Sequence, residues 1–280
     1  MIKKLFTILF GLLVLTSLSH AETYKVYVGN TAGSPSDVYT RKIFEVVGTV
    51  TKDNFVVINK PGVDQLIAYQ AFLEESKTNP NVIFSGGTAT HAASYSVHPE
   101  LKLDPLKDTK GVITVLKVHY HLVVNASSAV KTAADIKNSK LNIGSSNATS
   151  SKLIELANFG SGVQTIPYKA DTDVVMALMQ RTLDVGTVLS FNQLLKVHKD
   201  KLRIISSFEQ LNAVGTVGYS VAKSFPDARV KELNRAIDFA LHTPEIQSWF
   251  KDTMSSIPVG GSPAEYDRAL VKFKTVLESK

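Results

Sequence analysis

Four short runs hold most of the residues whose types and spacing could do chemistry: 31–37 (TAGSPSD), 86–91 (GGTATH), 145–151 (SSNATSS) and 168–173 (YKADTD). The chemistry they suit is recognition rather than bond making. Glycine lets a ligand come close to backbone amides, and serine and threonine hydroxyls add donors without bulk. In the first run, Val26 and Val28 alternate toward a buried strand, Gly29 to Pro35 break the pattern, and Tyr39, Ile43 and Val47 then recur at helical spacing. Ser36 or Asp37 is expected to cap that helix, which leaves other first-turn amides without an intrahelical partner. Such amides, at the positive end of a helix dipole, form an anion site. One polar loop would mean only that loops are polar. Four of them, two from each half of the chain and each at the end of a predicted strand, point to a shared cleft. The candidate ligand-binding residues are Thr31, Gly33, Ser34, Pro35, Ser36 and Asp37 from the first run and Gly87, Thr88, Thr90 and His91 from the second. Asn147, Ala148 and Thr149 come from the third, Tyr168 and Asp171 from the fourth, and Thr187 from the strand LDVGTVLS.

Catalysis and metal binding find less support. Serine is abundant, yet no G-x-S-x-G elbow occurs and nothing sets a base beside a particular serine, so no catalytic residue is assigned and the chain is read as a non-enzyme. His119 and His121, two apart on a strand, share a face with metal-compatible spacing. No third ligand lies nearby in sequence, and neither a metal nor a cofactor is assigned. His91 either contacts a ligand or finishes its loop. Asp171 and Asp173 either face a ligand amine or cap the helix that follows, with capping the preferred role for Asp173. Trp249 is read as packing between helices.

The elements that must position these runs follow a rhythm. NFVVINK (54–60) reads as a strand, Pro61-Gly62 as a turn, 63–76 as a helix and NVIFSGG (81–87) as the next strand. Repeated strand, loop and helix units argue for a mostly parallel sheet covered on both faces, with ligands beyond the carboxyl ends of its strands. The long β-rich segment GVITVLKVHYHLVVNASS (111–128) passes from one lobe to another, after which the rhythm restarts. VGYSVAKSFP (217–226) returns, and helices follow at 229–243, 244–254 and 263–280.

The chain opens MIKKLFTILFGLLVLTSLSHA, with Lys3 and Lys4 ahead of an apolar run from Leu5 to Leu18 and the small-x-small site Ser19-His20-Ala21. The run is shorter than the roughly 20 apolar residues a membrane span needs, so it is read as a signal peptide cut after Ala21. The absence of cysteine from the 280 residues excludes disulfides, thiolate metal sites and a lipid on a processed cysteine. Loss of two lysines with the leader takes 31 basic residues to 29 against 25 acidic, so a formal charge of +6 becomes +4. These charges are scattered, with no nucleic-acid footprint. A soluble periplasmic monomer is expected.

Five ordered motifs carry a resemblance. TAGSPSDVYTR (31–41) is similar to P-P-G-G-P-T-D-x-x-A-R, and VINKPG (57–62) to V-x-N-[RK]-P-G. SGGTATHAASYSVHPELKLDPLKD (85–108) resembles S-x-x-T-H-x-x-N-P-x-L…Y-D-P-x-K-D, IGSSNATSSKL (143–153) a glycine-rich A-G-x-G-S-x-x-H-L loop, and IPYKADTDVVMALMQRTLDV (166–185) V-P-Y-K-G…L-x-G-x-x-D. Together they resemble the extracytoplasmic solute receptors of tripartite tricarboxylate transporters, the TctC or Bug family, over essentially the whole mature length. Departures are Ser34, Ala148, Lys152 and Ala170, and a short segment before Gly218. The resemblance implies an α/β fold like type 2 periplasmic binding proteins, two-lobed, with mostly parallel sheets flanked by helices and a ligand cleft between the lobes. Lobe 1 is expected over 22–123 with 219–280 and lobe 2 over 124–218, hinged near Val123–Val124 and Gly218–Tyr219. It further implies that backbone amides of the first two loops, partly through waters, hold one carboxylate of a small organic acid or amino acid while the second lobe reads the rest. The implied partners are membrane transporter subunits, or a signalling kinase for a sensor-type member; a secreted serine hydrolase is the rival from another class.

Overall fold

The computed structural model describes residues 21–94, 97–208, 211 and 213–279; the leader expected over 1–21 lies, except for Ala21, outside them. The first half of the chain runs β1 (Thr23–Val28), α1 (Pro35–Thr51), β2 (Asn54–Asn59), α2 (Leu66–Ser76), β3 (Val82–Gly87), a π-helical segment (Ala89–Ser94) and the long β4 (Thr109–Asn125). The second half adds β5 (Asn142–Ser145), α3 (Ala148–Ala157), β6 (Gln164–Pro167), α4 (Asp171–Met179), β7 (Val185–Leu189), α5 (Gln193–Val197) and β8 (Leu202–Ser206). The chain returns through β9 (Val214–Ala222) and ends in α6 (Asp227–Leu241), α7 (Pro244–Trp249) with its π-helical extension Phe250–Met254, and α8 (Pro263–Glu278).

The strands run in the order β2-β1-β3-β9-β4-β7-β5-β6, with β8 also paired to β4. The strand, loop and helix units supply the expected parallel ladders, β1 with β2 and β3, and β5 with β6 and β7. The strands that link the halves pair antiparallel, β9 with β3 and β4, and β4 with β7 and β8, so the sheet as a whole is mixed. Helices cover both faces. Neighbours on β1 show why the sequence reads as nearly continuous apolar strand: Val26 buries among Ile43, Ile83 and Tyr219 on one face, and Tyr27 among Tyr69, Phe72 and Phe84 on the other. Separate apolar clusters serve the second half, one holding Leu122, Ile143 and Leu153, another Val123, Val174 and Leu178. Trp249 packs half-buried against the core of the first half, edge-on to Phe250.

β4 changes partners along its length. It pairs with β9 from Thr109 to His119 and with β7 from Tyr120 onward, so the passage from one partner to the next falls at His119–Tyr120. Gly218 and Tyr219 sit deep in the first half, opposite Gly86 and Ser85 of β3, and β9 reaches the passage at Val214 and Gly215. An uninterrupted strand carries no mark in its sequence of where its partner changes. The helix expected from Val63 begins at Leu66 instead. Val63, Asp64 and Gln65 all have positive φ, 45°, 49° and 76°, and make a left-handed turn that the four-residue spacing of Val63, Ile67 and Ala71 concealed.

Candidate functional site

The end of β1 and the start of α1 make the first wall of a cleft. Pro35 takes the first helical position, where its missing N–H costs nothing, and this places the cap at Ser34 rather than Ser36 or Asp37. The Ser34 hydroxyl accepts from the Asp37 amide at 3.5 Å, and the Ser36 hydroxyl donates to Asn30 Oδ1 at 2.8 Å. The Ser36 amide has no intrahelical partner by position, and Ser36 lines the cleft with Thr31, Ser34 and Pro35.

Asp37 turns the other way. It is 3% exposed and accepts from the Gly33 amide at 2.8 Å and from Arg41 Nε at 2.9 Å, while Arg41 also donates to Asn59 Oδ1. Burial pushes the Asp37 carboxyl up, but hydrogen bonds from Arg41, Gly33 and Asn59 outweigh it and hold the group below the usual carboxylate range. Arg41 and Asp37 therefore brace the loop from behind. Gly33 has φ +80° with open space where a Cβ would stand, so it serves the turn itself.

At the end of β3, Gly87 is fixed by packing: a Cβ there would overlap the Thr216 carbonyl of β9. The Thr88 hydroxyl bonds both the amide and the carbonyl of Thr216 at 3.3 Å, so although Thr88 lines the cleft its side chain ties loop to strand. Thr90 donates to Gln65 Oε1 at 3.1 Å, behind the wall. His91 is fully buried, Nδ1 donating to Gly87 O at 3.0 Å and Nε2 accepting from Ser220 Oγ at 3.2 Å. Burial lowers its pKa to about 4, so the imidazole is neutral and finishes the loop.

The opposite wall comes from the second half. Asn147 caps α3 by accepting from the Ser150 amide at 2.9 Å and lines the cleft with Ser146. Ala148 and the buried Thr149 lie behind it in the first turn of α3, and Thr187 is buried in β7 opposite Leu122. Tyr168 packs toward Gly144 and the cluster of Val174 and Leu178, not into the cleft. Neither acid of the fourth run caps its helix. Ala170 occupies the cap position of α4 without a side-chain bond, and Asp173 is exposed. Asp171 opens α4, lines the cleft, and accepts from the Ser146 hydroxyl and from the Leu189 amide at 2.8 Å. Burial raises its carboxyl above the ordinary value, while Ser146, the Leu189 amide and Asn192 pull it back.

The cleft encloses about 660 Å³, within the range of small-molecule sites. Of the candidates, Thr31, Ser34, Pro35, Ser36, Gly87, Thr88, Asn147 and Asp171 stand on its walls; Gly33, Asp37, Thr90, His91, Ala148, Thr149, Tyr168 and Thr187 do not. Sequence reasoning missed the left-handed turn through Asp64 and Gln65, and Tyr39, Tyr120, Phe191 and Asn192 on the walls. Alternation along β4 puts Tyr120 on the face opposite His119 and His121, and that face is the one turned to the cleft. The two histidine rings stack at 6.3 Å on the other face, and no cluster of three metal-ligating side chains occurs among the described residues. No arginine lines the cleft among the described residues; its charged side chains are Asp64, Lys169 and Asp171.

Comparison with known proteins agrees with this architecture. A "UPF0065 protein in gbd 5'region" from Cupriavidus necator is 26% identical over 195 residues, 66% of this chain and 58% of that protein. The match thus spans just over half of that relative's length. Among solved structures, "R. palustris Rpa4515 with adipate" superposes with a TM-score of 0.74 at 19% identity, covering 92% of this chain and 95% of that one. "MatC (Rpa3494) from Rhodopseudomonas palustris with bound malate" gives 0.73 at 16%, covering 91% and 99%. At these identities the likeness speaks for the fold. The family model described as "Tripartite tricarboxylate transporter family receptor" matches residues 41–214, from inside α1 to the start of β9 and so more than half of the chain. By that match the chain belongs to the receptor family of the tripartite tricarboxylate transporters.

Proposed function

We propose that this protein is a non-catalytic periplasmic receptor that captures a small carboxylate in the cleft and presents it to the subunits of a membrane transporter. The observation that carries this reading is the free end of α1. The 17-residue α1 begins at the cleft, with the Ser36 amide free of an intrahelical partner by position and the hydroxyls of Thr31, Ser34 and Ser36 around it, while its one nearby arginine is engaged by Asp37. A charge-assisted hydrogen bond contributes about 1.5–3 kcal/mol, so three or four such donors give roughly 5–10 kcal/mol before ordering costs. Micromolar binding needs about 8 kcal/mol, so no arginine clamp is required. The solved relatives described with adipate and with malate support a carboxylate as the ligand class.

The change of partners along β4 supports lobes of 22–119 with 214–280 and of 120–213, hinged at His119–Tyr120 and Val214–Gly215 and closing on the ligand. The basic, apolar and small-residue order of 1–21 supports export and cleavage after Ala21. Native mass spectrometry of protein purified from the periplasm tests the reading: a retained small organic acid, displaced by added carboxylates and not by their amides, is expected. Indifference to every carboxylate overturns it.

A further inference from the structure

Asp171 is the cleft's anomaly. A site that receives an anion at α1 has a carboxylate on its opposite wall, and no cation lies within 4.0 Å of that carboxylate among the described residues. Asp64, the other acid on the walls, differs: it faces His98 Nε2 at 3.6 Å. Lys169 stands two residues from Asp171, but its side chain is exposed at the rim. The neighbours of Asp171 are all neutral donors arranged to leave it the terminal acceptor. Asn147 Nδ2 donates to Ser146 Oγ at 3.2 Å, Ser146 donates to Asp171 Oδ1, and the Leu189 amide donates to Oδ2. Ionised carboxylate oxygens offer about four acceptor sites, so three protein donors, with Asn192 as the third, leave one toward the cleft.

We propose that Asp171 selects the ligand: the molecule that fills this cleft carries, besides the carboxylate received at α1, a protonated amine that pairs with the Asp171 carboxylate. The inference rests on the receptor reading and narrows its ligand to amino acids and related zwitterions. A partly enclosed carboxylate without a counter-ion is unfavourable, an ammonium group relieves it, and a ligand carboxylate at the same place is repelled. Neutral donors fix the carboxylate's direction without cancelling its charge, which makes it a discriminator rather than a passive cap. Small diacids and their amino counterparts fit within a cleft of about 660 Å³.

Matched pairs that differ by one amine test this: succinate against L-aspartate and glutarate against L-glutamate, by titration calorimetry on the mature protein and on Asp171→Asn. The intact protein is expected to bind the amine-bearing member of a pair about ten-fold tighter or more, the worth of one charge-assisted hydrogen bond. Asp171→Asn is expected to erase that preference, weakening binding of the amino acid and strengthening that of the diacid that the carboxylate had repelled. If the diacids bind as tightly as or more tightly than their amino counterparts, Asp171 is not a selector, and the receptor reading stands without it. If none of the four acids binds, this inference falls, while the receptor reading falls only on indifference to every carboxylate. Should Asp171→Asn fail to fold by circular dichroism, the paired affinities of the intact protein alone decide.

Discussion

Replacing Asp37 by alanine should damage this protein far more than replacing Arg41, although the two side chains face each other. The Asp37 carboxylate is 3% exposed and its bond from the Gly33 amide, 2.8 Å, is charge-assisted, worth about 1.5–3 kcal/mol. Its ion pair with Arg41 reaches a side chain that is 50% exposed, and a solvated pair contributes only about 0–1 kcal/mol. Asp37→Ala should therefore cost about 2–4 kcal/mol, and Arg41→Ala about 1 kcal/mol or less. The same variant releases the Gly33 turn that sets the direction of the α1 amides, so ligand affinity should fall with it. Because the folded carboxyl titrates below its ordinary value, its contribution is complete above the unfolded pKa of about 4 and fades as pH falls through the folded value. Urea unfolding at neutral pH measures both variants. If Arg41→Ala costs as much as Asp37→Ala, the brace is an ion pair and the reasoning fails.

Gly87→Ala should destabilise by about 2–3 kcal/mol or abolish folding, because the new methyl meets the Thr216 carbonyl, whereas Gly33→Ala should cost about 1–2 kcal/mol from its positive φ alone. Thermal melts of the two variants rank them, and the reverse order refutes the packing argument. His91 is buried neutral, with a pKa lowered to about 4; its contribution is complete above the unfolded value of about 6.5 and fades as pH falls toward 4, a loss of about 3 kcal/mol that His91→Gln should not show. Denaturant midpoints of both proteins across that window test it. Thr88→Ala should lower stability by about 1–2 kcal/mol through the lost bonds to Thr216 and leave carboxylate affinity little changed, which unfolding and calorimetry separate.

The sequence made the architecture legible because its signals were local. Apolar alternation at Val26 and Val28, glycine at the ends of β1 and β3, and helical spacing from Tyr39 each act within a few residues, and together they fix strand, loop and helix in turn. Partner choice is not local. Nothing near His119 announces that β4 leaves β9 for β7, and the antiparallel character of the linking strands arises from chain return across the whole molecule. Side-chain direction was the other hidden quantity. Asp37, Thr90 and His91 have the right chemistry and stand in the right loops, yet hydrogen bonds to Gly33, Gln65 and Ser220 turn them into the scaffold. The turn through Asp64 and Gln65 escaped because three consecutive left-handed residues without glycine have no composition that marks them.

The central claim is that main-chain amides at the start of α1 receive the ligand's carboxylate. A ¹⁵N–¹H spectrum of the mature protein titrated with L-glutamate, and in parallel with the carboxamide in which both of its carboxylates are amidated, tests it. Large saturable shifts of the Ser36 amide, with smaller ones at its neighbour Asp37, are expected with the acid and none of comparable size with the carboxamide, because neutralising the carboxylates removes the charge assistance and the dipole term. Saturable shifts elsewhere on the cleft walls, with Ser36 and Asp37 unmoved, would contradict it.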